Sequence, residues 1–194
     1  MHDIVRDAMT DSARCLERLL ADKVTIRAIA SAGEDLGIAL TSGQRVFSCG
    51  NGGSMSDAIH FAEELSGRFR NDRRALAAQA ISDIGHLTCV ANDYGYDQVF
   101  SRYLEAHGRH GDWLLAISTS GKSQNILRAV QTAKDRGMVV IGLHGTPGSR
   151  LGMEADYDIC TPGCTRYADR VQELHIKVIH AMIEVVESVI AAPA

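Results

Sequence analysis

Residues 49–64, CGNGGSMSDAIHFAEE, combine a glycine cluster with side chains that can move protons or bind metals. His60 and Glu64 are four residues apart, so a helix would place them on one face, where they could share a metal ion or a substrate proton. Glu63 is almost as close to His60, and spacing cannot choose between the two carboxylates. Arg68 extends the stripe by one turn, so a solvated face with one weak Glu64–Arg68 pair explains the same pattern.

The apolar residues of this segment predict which face of the helix is buried. They follow the i, i+3, i+4 spacing of an amphipathic helix over 54–70. They are Ala58, Phe61, Ala62, Leu65 and Phe69. His60 and Glu64 then lie on the opposite face, so any chemistry they perform is expected to need a neighbouring chain.

The glycines match neither common nucleotide-binding loop. The G-x-G-x-x-G pattern, counted from Gly50 and Gly52, requires a third glycine where Met55 stands. The segment AISTSGKS approaches the G-x-x-x-x-G-K-[ST] loop, but Ala116 replaces its first glycine. Each glycine permits a backbone path or a close approach that a side chain blocks, so we do not expect a nucleotide here.

Two polar loops favour a phosphate instead. GNGGS (50–54) and STSGKS (118–123) each follow a predicted strand and begin a predicted helix. Helix N-termini offer free N–H groups and the positive end of the helix dipole, and hydroxyls add further donors. The alternative is that Ser54 and Ser120 or Ser123 are ordinary N-caps. Two such loops on adjacent strands indicate a phosphate monoester site.

The order of apolar runs predicts one α/β domain. Buried strands are predicted at 45–50, 77–82, 113–118, 138–143 and 157–160. Helical periodicity is seen at 3–20, 23–41, 54–70, 83–92, 96–108, 122–136 and 166–191. Buried runs that alternate with helices are typical of a parallel sheet covered on both faces. A chain of 194 residues suits one domain with a full core, and no linker suggests a second.

Composition narrows the functional classes. The net charge of −4 disfavours non-specific binding to nucleic acid, which requires a basic face. No apolar run of membrane-spanning length occurs, and the acidic N-terminus does not resemble a secretory signal. Five scattered cysteines fit a reducing cytoplasm better than a disulfide framework. Cys160 and Cys164 could form half of a zinc site, but no second cysteine pair accompanies them.

The last predicted helix is apolar around more than half of its circumference. One stripe comprises Val171, Leu174, Val178, Met182, Val185 and Val189. A second comprises Ile176, Ile179, Ile183, Val186 and Ile190. This exceeds the arc that one core usually needs, so either the domain wraps the helix closely or a second subunit packs on it. We favour the second subunit.

Five segments resemble the sugar isomerase (SIS) domain family, and within it the enzymes that isomerise seven-carbon sugar phosphates. They are CGNGGS with DAIHFAEEL, ISD at 82, ANDYGYDQVFSR (91–102), GDWLLAISTSGKSQNI (111–126) and YADRVQELHIKVIH (167–180). The similarity covers nearly the whole chain. The stretch 144–166 departs from these motifs and looks rich in loops.

The resemblance implies a flavodoxin-like fold, a three-layer sandwich with five parallel strands, extra N-terminal helices and a long C-terminal helix. It implies a single SIS domain over 1–194, with helices 1–41 used in oligomerisation and residues 42–194 forming the core. It also implies a cytoplasmic homotetramer with active sites between subunits, and no nucleic-acid or membrane partner. The implied reaction converts D-sedoheptulose 7-phosphate to D-glycero-D-manno-heptose 7-phosphate, which supplies heptose to lipopolysaccharide or capsule.

The resemblance also assigns residues to the site. Glu64 is implied as the base and His180 as the acid of an enediol(ate) reaction. A zinc ion, one per subunit, is implied at His60, Glu64, Gln172 and His180. The implied substrate contacts are Asn51, Gly52, Gly53, Ser54, Glu64, Arg68, Asn92, Asp93, Ser118, Thr119, Ser120, Ser123, Asp169 and Gln172.

Helix geometry limits how these ligands can meet. Gln172 and His180 are eight residues apart, about 12 Å on a straight helix, so one ion cannot take both from one chain unless the helix breaks. The four-ligand site is therefore expected to draw on at least two chains. Of the other histidines, His175 is predicted to be a packed interface residue. His86, His107, His110 and His144 are predicted to be loop or surface groups.

Two other functions fit the same family. Some members bind the bacterial replication initiator and perform no sugar chemistry, but in those the residues matching Glu64 and His180 are replaced. Sugar-phosphate-sensing regulators usually carry an added DNA-binding domain, for which 194 residues leave no room. The sequence therefore favours the enzyme.

Overall fold

The computed structural model describes residues 1–163 and 167–191. At its centre is a parallel sheet of five strands in the order β2-β1-β3-β4-β5. The strands are β1 (Val46–Cys49), β2 (Ala78–Ala80), β3 (Trp113–Ser118), β4 (Val139–His144) and β5 (Tyr157–Cys160). This is the flavodoxin-like strand order, so the predicted fold class is confirmed, and each predicted apolar run matches a strand to within two residues at either end.

Eight helices surround the sheet in the described residues. They are α1 (His2–Ala21), α2 (Lys23–Thr41), α3 (Gly53–Ser66), α4 (Ile84–Tyr94), α5 (Ser101–His107), α6 (Gln124–Asp135), α7 (Arg150–Glu154) and α8 (Ala168–Ala191). A short 3₁₀ turn, Tyr96–Gln98, lies between α4 and α5. The helices that follow β1 and β3 are α3 and α6, and both begin beside the predicted polar loops.

Alternation along the strands divides the core into two layers. In β3, Trp113, Leu115 and Ile117 face a cluster that contains side chains of α1, α2, α3 and α8. Leu114 and Ala116 face a second cluster formed with α4, α5, α6 and α7. Because successive strand residues point to opposite faces, a central strand buried on both sides must be apolar throughout.

Three predicted boundaries are corrected by local chemistry. The helix predicted over 54–70 ends at Ser66, with Gly67 at its C-cap, so Arg68 lies beyond the helix and off its polar stripe. The helix predicted over 96–108 is interrupted between the 3₁₀ turn and α5. The predicted loop region 144–166 contains α7, whose N-cap Ser149 accepts a hydrogen bond from the Gly152 N–H.

The apolar circumference of α8 is largely covered by its own chain. α2 runs close to it because α2 carries glycines, and a Cβ placed on Gly33 would lie 2.8 Å from the Cβ of Val185. The buried residues of α8 are Val171, Leu174, His175, Val178, Ile179, Met182, Ile183 and Val186. α1, α2 and α3 of the same domain therefore cover most of this face, and the expected second subunit stays a prediction for the partly exposed Ile176, Val185, Val189 and Ile190.

Two histidines are also placed differently from their predictions. His175 is fully buried inside the domain rather than at an interface. Burial lowers the pKa of His175 to about 4, the nearby His144 ring acts in the same direction, and the His144 carbonyl opposes both. His144 ends β4 and is buried rather than a surface group, with its Nε2 2.6 Å from Asp158 Oδ1.

None of the described helices is long and apolar enough to cross a membrane. Cys164 lies outside the described residues, so the Cys160–Cys164 pairing is not described. Cys49, Cys89 and Cys160 carry free thiols.

We expect His175 to make folding stability depend on pH. Its pKa is about 4 in the folded chain and about 6.5 when unfolded, so only the unfolded chain binds a proton between those values. Above pH 6.5 the lowered pKa of His175 contributes up to about 3 kcal/mol to the free energy of unfolding. This contribution is lost as the pH falls from 6.5 towards 4. Urea unfolding across this range should show a steeper loss for wild type than for His175→Leu. An equal pH dependence of the free energy of unfolding in the two proteins would contradict the assignment of the low pKa to His175.

Candidate active site

The two polar loops lie at one edge of the sheet. β1 and β3 are hydrogen-bonded neighbours with Cys49 opposite Ala116, so the loops after them leave the sheet side by side. The strand order reverses between β1 and β3, and in open parallel sheets ligands bind at the carboxyl ends of strands at such a switch point. The fold therefore brings together the two loops in which the sequence predicted a phosphate site.

The glycine loop is shaped by backbone requirements. Gly52 is the N-cap of α3 with φ +54° and ψ −121°, a conformation that favours glycine. A Cβ on Gly50 would lie 2.3 Å from the Ser54 carbonyl oxygen. Ser54 is buried in the first turn of α3 and does not cap it, because Gly52 occupies the cap position.

Asn51 joins the glycine loop to its surroundings. Its amide pairs reciprocally with that of Asn125, at 2.9 and 2.8 Å, and Tyr96 Oη donates to Asn51 Oδ1 at 2.9 Å. Asn125 and Tyr96 were not predicted as site residues, although both lie inside motif segments. Their partners are distant in sequence, so spacing alone could not identify them.

The serine loop forms a compact turn with clustered hydroxyls. The Gly121 N–H donates to the Ser118 carbonyl at 2.9 Å, and Gly121 has φ +64°. Ser118 Oγ lies 3.1 Å from Ser123 Oγ and 3.5 Å from Ser120 Oγ. Ser123 occupies the N-cap of α6 but makes no side-chain cap hydrogen bond. The hydroxyls are therefore grouped with one another rather than used as helix caps.

A cavity of about 300 Å³ opens beside the serine loop. Its lining joins that loop to the end of β4 and the start of α8. The lining residues are Thr119, Ser120, Gly145, Thr146, Gly163, Tyr167, Ala168 and Val171. The sequence predicted the first two. The rest come from segments brought together by the sheet, since the Gly145 N–H donates to the Thr119 carbonyl at 3.0 Å.

Gln172 lies against the glycine loop of its own chain. A Cβ on Gly53 would come within 2.4 Å of Gln172 Oε1, so the amide packs directly on the glycine. Burial raises the pKa of Asp57, against a hydrogen bond from Gln172 and the charge of His60. Gln172 and Asp57 line a second cavity of about 330 Å³ with Asp169, Glu173 and Ile176.

The other implied contacts lie around these loops. Asn92 and Asp93 are exposed at the end of α4, one turn before Tyr96, and Asn92 Nδ2 donates to Asp93 Oδ1 at 2.8 Å. Asp169 is exposed in the first turn of α8. Arg68 is exposed beyond α3.

His60, Glu64 and His180 form a separate cluster. His60 Nε2 lies 2.9 Å from His180 Nε2 and 3.5 Å from Glu64 Oε1. On the opposite side of the ring, His60 Nδ1 lies 3.1 Å from Glu63 Oε1. The polar face of α3 therefore meets α8 of the same chain, a contact that the sequence did not predict, and the need for a neighbouring chain stays a prediction.

The local electrostatics keep His180 neutral more readily than an exposed histidine. Burial lowers the pKa of His180 and the neighbouring His60 lowers it further, while the carboxylates of Glu64 and Glu184 oppose the shift. A neutral imidazole offers both a proton and a lone pair near neutral pH, as a proton shuttle or a metal ligand requires.

The cluster has a donor set suited to zinc. Ligand atoms of His60, Glu63 and Glu64 all lie within 4.8 Å of one another, but Glu63 lies at Nδ1 of the His60 ring, whereas Glu64 and His180 lie at Nε2. The 2.9 Å between the Nε2 atoms of His60 and His180 is near the roughly 3.3 Å expected for two nitrogens on tetrahedral zinc. Imidazole nitrogens and carboxylate oxygens are common zinc ligands, so these residues fit such an ion.

One chain thus holds two half-sites. The first, called the phosphate half after the group predicted to bind there, comprises the glycine loop, the serine loop and Gln172. The second, called the histidine half, comprises His60, Glu64 and His180. α3 runs unbroken from Gly53 to beyond Glu64, which separates these residues by about 16 Å. α8 is likewise continuous from Gln172 to His180, a span of about 12 Å, so the exception of a broken helix does not apply.

Arg73 secures the histidine half, and the sequence did not single it out. Its guanidinium donates to the carbonyls of Glu64 at 2.7 Å and Leu65 at 2.9 Å, and to Glu187 Oε1 of α8 at 2.8 Å. Both side chains of the Arg73–Glu187 pair are nearly buried. Arg73 therefore joins the C-terminal end of α3 to α8.

The model of one protein family matches this chain. Residues 9–145 match the family described as the SIS domain. The chain belongs to the SIS domain family. Over 190 residues it is 50% identical to a phosphoheptose isomerase of Edwardsiella ictaluri, an alignment that covers 98% of each chain.

Solved structures of SIS proteins share the fold over nearly the full length. A phosphoheptose isomerase from Neisseria gonorrhoeae is 38% identical with a TM-score of 0.87, covering 96% of this chain and 98% of that one. A phosphoheptose isomerase from Francisella tularensis is 33% identical with a TM-score of 0.88, covering 96% and 97%. The chain is therefore similar to these SIS enzymes in sequence, length and architecture.

We expect Gly53→Ala to disable the phosphate half without unfolding the domain. The added methyl would collide with the Gln172 amide, which must move away from the glycine loop. Activity should fall, measured as turnover of a sugar phosphate, while the circular dichroism spectrum stays native.

The double variant Gly53→Ala/Gln172→Ala tests the cause. It should recover any thermal stability lost by the single variant but not its activity, because the clash is gone and the amide is still missing. A Gly53→Ala enzyme with normal kinetics would refute the placement of Gln172.

Proposed function

We propose that this protein is a phosphoheptose isomerase, which converts D-sedoheptulose 7-phosphate to D-glycero-D-manno-heptose 7-phosphate. The observation that carries this proposal is the 50% identity to an enzyme of that name along essentially the whole of both chains. The clustered hydroxyls at the β1/β3 switch point support it, because they suit a phosphate monoester. The chain is accordingly an isomerase of aldose and ketose phosphates.

The phosphate is proposed to bind in the serine loop, at Ser118, Thr119, Ser120 and Ser123, with Ser54 nearby at the start of α3. The N-termini of α3 and α6 would add their dipoles to these hydroxyl donors. Asn51, Gly52, Gly53 and Gln172 would contact the sugar, since Asn51 and Gln172 both lie at the glycine loop. Asn92, Asp93, Arg68 and Asp169 are proposed to complete the surroundings.

The isomerisation requires two proton movements. Glu64 is proposed to take a proton from C1 of the open-chain ketose while His180 donates a proton to the C2 oxygen, which forms an enediol. Glu64 then returns its proton to C2 as the C1 hydroxyl is deprotonated by His180 and the C1 aldehyde forms. This cycle restores both groups, and the convergence of Glu64 and His180 on His60 supports it.

Zinc is part of the proposal. His60, Glu64 and His180 would hold the ion, and the fourth ligand implied by the family, Gln172, would come from another chain. A bound zinc ion would act as a Lewis acid that stabilises negative charge on the sugar oxygens. His60, in contact with both catalytic groups, also orients them.

The separation of the two half-sites supports active sites shared between subunits. Gln172 and His180 of a single chain cannot both ligate one ion, because α8 holds them about 12 Å apart. We propose a homotetramer in which each site combines the phosphate half of one chain with the histidine half of another. Residues 1–41 are proposed to form contacts between subunits, because Ile4, Val5 and Met9 of α1 are exposed apolar side chains.

A non-catalytic binding protein is not favoured. Both Glu64 and His180 are present, and they meet at His60 in a geometry suited to proton transfer. We propose that the enzyme works in the cytoplasm, where phosphorylated sugars are metabolised, and that its product supplies heptose for lipopolysaccharide or capsule.

Glu64→Gln is expected to abolish proton exchange at the reacting carbons, because an amide cannot accept the C1 proton. Sedoheptulose 7-phosphate should be incubated with protein in D₂O and followed by NMR for the aldose and for deuterium at C1 and C2. Glu105→Gln, a change of the same type on the distant helix α5, serves as the control and should exchange normally. Full exchange by Glu64→Gln would exclude it as the base.

Mixed oligomers test whether the halves come from different chains. Gln172→Ala disables the phosphate half and Glu64→Gln the histidine half, so mixing them should regenerate about one intact site in four by random assembly. Glu64→Gln mixed with His180→Ala should recover nothing, because both changes lie in the same half. Activity in the mixture of Glu64→Gln with His180→Ala, but not in the mixture of Gln172→Ala with Glu64→Gln, would contradict the proposal. It would mean that Glu64 and His180 of one site come from different chains.

A further inference from the structure

The turn between β4 and α7 packs directly on the serine loop. The Gly145 N–H donates to the Thr119 carbonyl at 3.0 Å, and the Leu151 N–H donates to the Gly121 carbonyl at 3.2 Å. Ser149 lies so close to Gly121 that a Cβ on this glycine would be 2.3 Å from Ser149 Oγ. Two carbonyls of the serine loop are therefore held by this turn and by the start of α7.

The helix that supports the loop depends on tertiary contacts. α7 has only five residues, too few for a helix to be stable by itself. Leu151 anchors it in the core, where this side chain is fully buried. The next residue, Gly152, packs on two polar side chains, because a Cβ placed there would lie 2.5 Å from His144 Nε2 and 2.7 Å from Asp158 Oδ1. The position of α7 therefore follows the position of this pair.

His144 and Asp158 form a hydrogen-bonded pair between neighbouring strands. His144 Nε2 lies 2.6 Å from Asp158 Oδ1, and since a carboxylate can only accept, the imidazole N–H donates. The side chain of His144 is fully buried, whereas that of Asp158 is 55% exposed. A buried N–H that loses its acceptor is costly, so the ring stays bound to the carboxylate. Both residues belong to the stretch 144–166, outside the segments that carry the family resemblance.

We infer that His144 and Asp158 are positioning residues for the serine loop. The pair fixes Gly152 and with it α7, which in turn holds Gly121 through Ser149. The inference deepens the proposed function, on which it rests, because the phosphate is proposed to bind in this loop. A displaced loop presents its hydroxyls and N–H groups poorly to an anion, so loss of the pair weakens phosphate binding. Proton transfer in the histidine half is unchanged.

The charge of Asp158 makes the direction of the effect informative. Removing a carboxylate would by charge alone strengthen the binding of an anion, whereas displacement of the loop weakens it. Asp158→Asn removes the charge but keeps an oxygen that can accept from His144. Asp156 offers a matched control, because it accepts from the Val140 N–H at 2.8 Å and pairs with Lys134. Asp156→Ala removes the same charge from the start of β5 and leaves the His144–Asp158 pair intact.

Steady-state kinetics and phosphate binding test the inference. Asp158→Ala is expected to raise KM for sedoheptulose 7-phosphate about 10-fold with little change in kcat, because binding is weakened and the reacting groups are the same. The dissociation constant of inorganic phosphate, measured by NMR titration, should rise in parallel. Asp158→Asn and Asp156→Ala should resemble wild type. Unchanged or tighter phosphate binding by Asp158→Ala, or equal weakening in Asp156→Ala, would overturn the positioning role.

The variant His144→Phe tests the pair from its buried side. It removes the N–H donor while filling similar space, and it should raise KM as Asp158→Ala does. The double variant should bind phosphate no more weakly than either single variant, because both changes break the same contact. Additive effects on the phosphate dissociation constant would show that the two residues act separately and would contradict the inference.

Hydrogen exchange in the ligand-free protein tests the loop without any substrate. The Gly145 and Leu151 amides, which donate to the serine loop, should exchange about 10-fold faster in Asp158→Ala than in wild type, after correction for global stability. Asp158→Asn and Asp156→Ala should show wild-type exchange at both amides. Normal exchange in Asp158→Ala would overturn the inference. If the amides respond as expected but wild type does not convert sedoheptulose 7-phosphate, the role of the pair stands and the proposed function fails.

Discussion

The packing of α8 against α2 and α3 determines what the rest of the molecule can do. α8 is continuous for 24 residues, and the glycines of α2 let it lie close along one side. On its other side it meets α3, where His180 contacts His60. Because a helix is rigid along its axis, Gln172 and His180 are held a fixed distance apart. The division of the site into two halves follows from that rigidity.

The two halves differ in their chemistry as well as in position. The phosphate half is built from backbone turns and neutral groups, with Gly52 and Gly121 in conformations that favour glycine. The histidine half is built from titratable groups on the facing surfaces of two helices, held together by Arg73 and Glu187. Loops that supply N–H and hydroxyl donors suit a fixed anion, whereas paired helices hold proton-transferring groups at defined distances.

Much of the fold was predictable because its signals are local. The five apolar runs coincide closely with the five strands, and the signal is strongest for the central strands β1, β3 and β4, which are buried on both faces. The predictions failed where a tertiary contact decided the outcome. The width of the apolar arc of α8 did not reveal that α1, α2 and α3 of the same domain cover most of it. His144 and His175 were misplaced for the same reason, since a histidine in the sequence carries no mark of burial.

The sequence by itself determined the family and, through the family, the strand order. It also determined the residue types of both loops and of the polar face of α3. Spacing on a helix also determined that Gln172 and His180 cannot meet within one chain, because rise per residue is a local property. Only the tertiary structure decided that His180 reaches His60 of its own chain and that Glu63 and Glu64 approach opposite nitrogens of that ring. Those contacts depend on how α3 and α8 are packed and on side-chain rotamers, which no pattern along the chain encodes. CGNGGSMSDAIHFAEE therefore begins in one half-site and ends in the other, one helix apart.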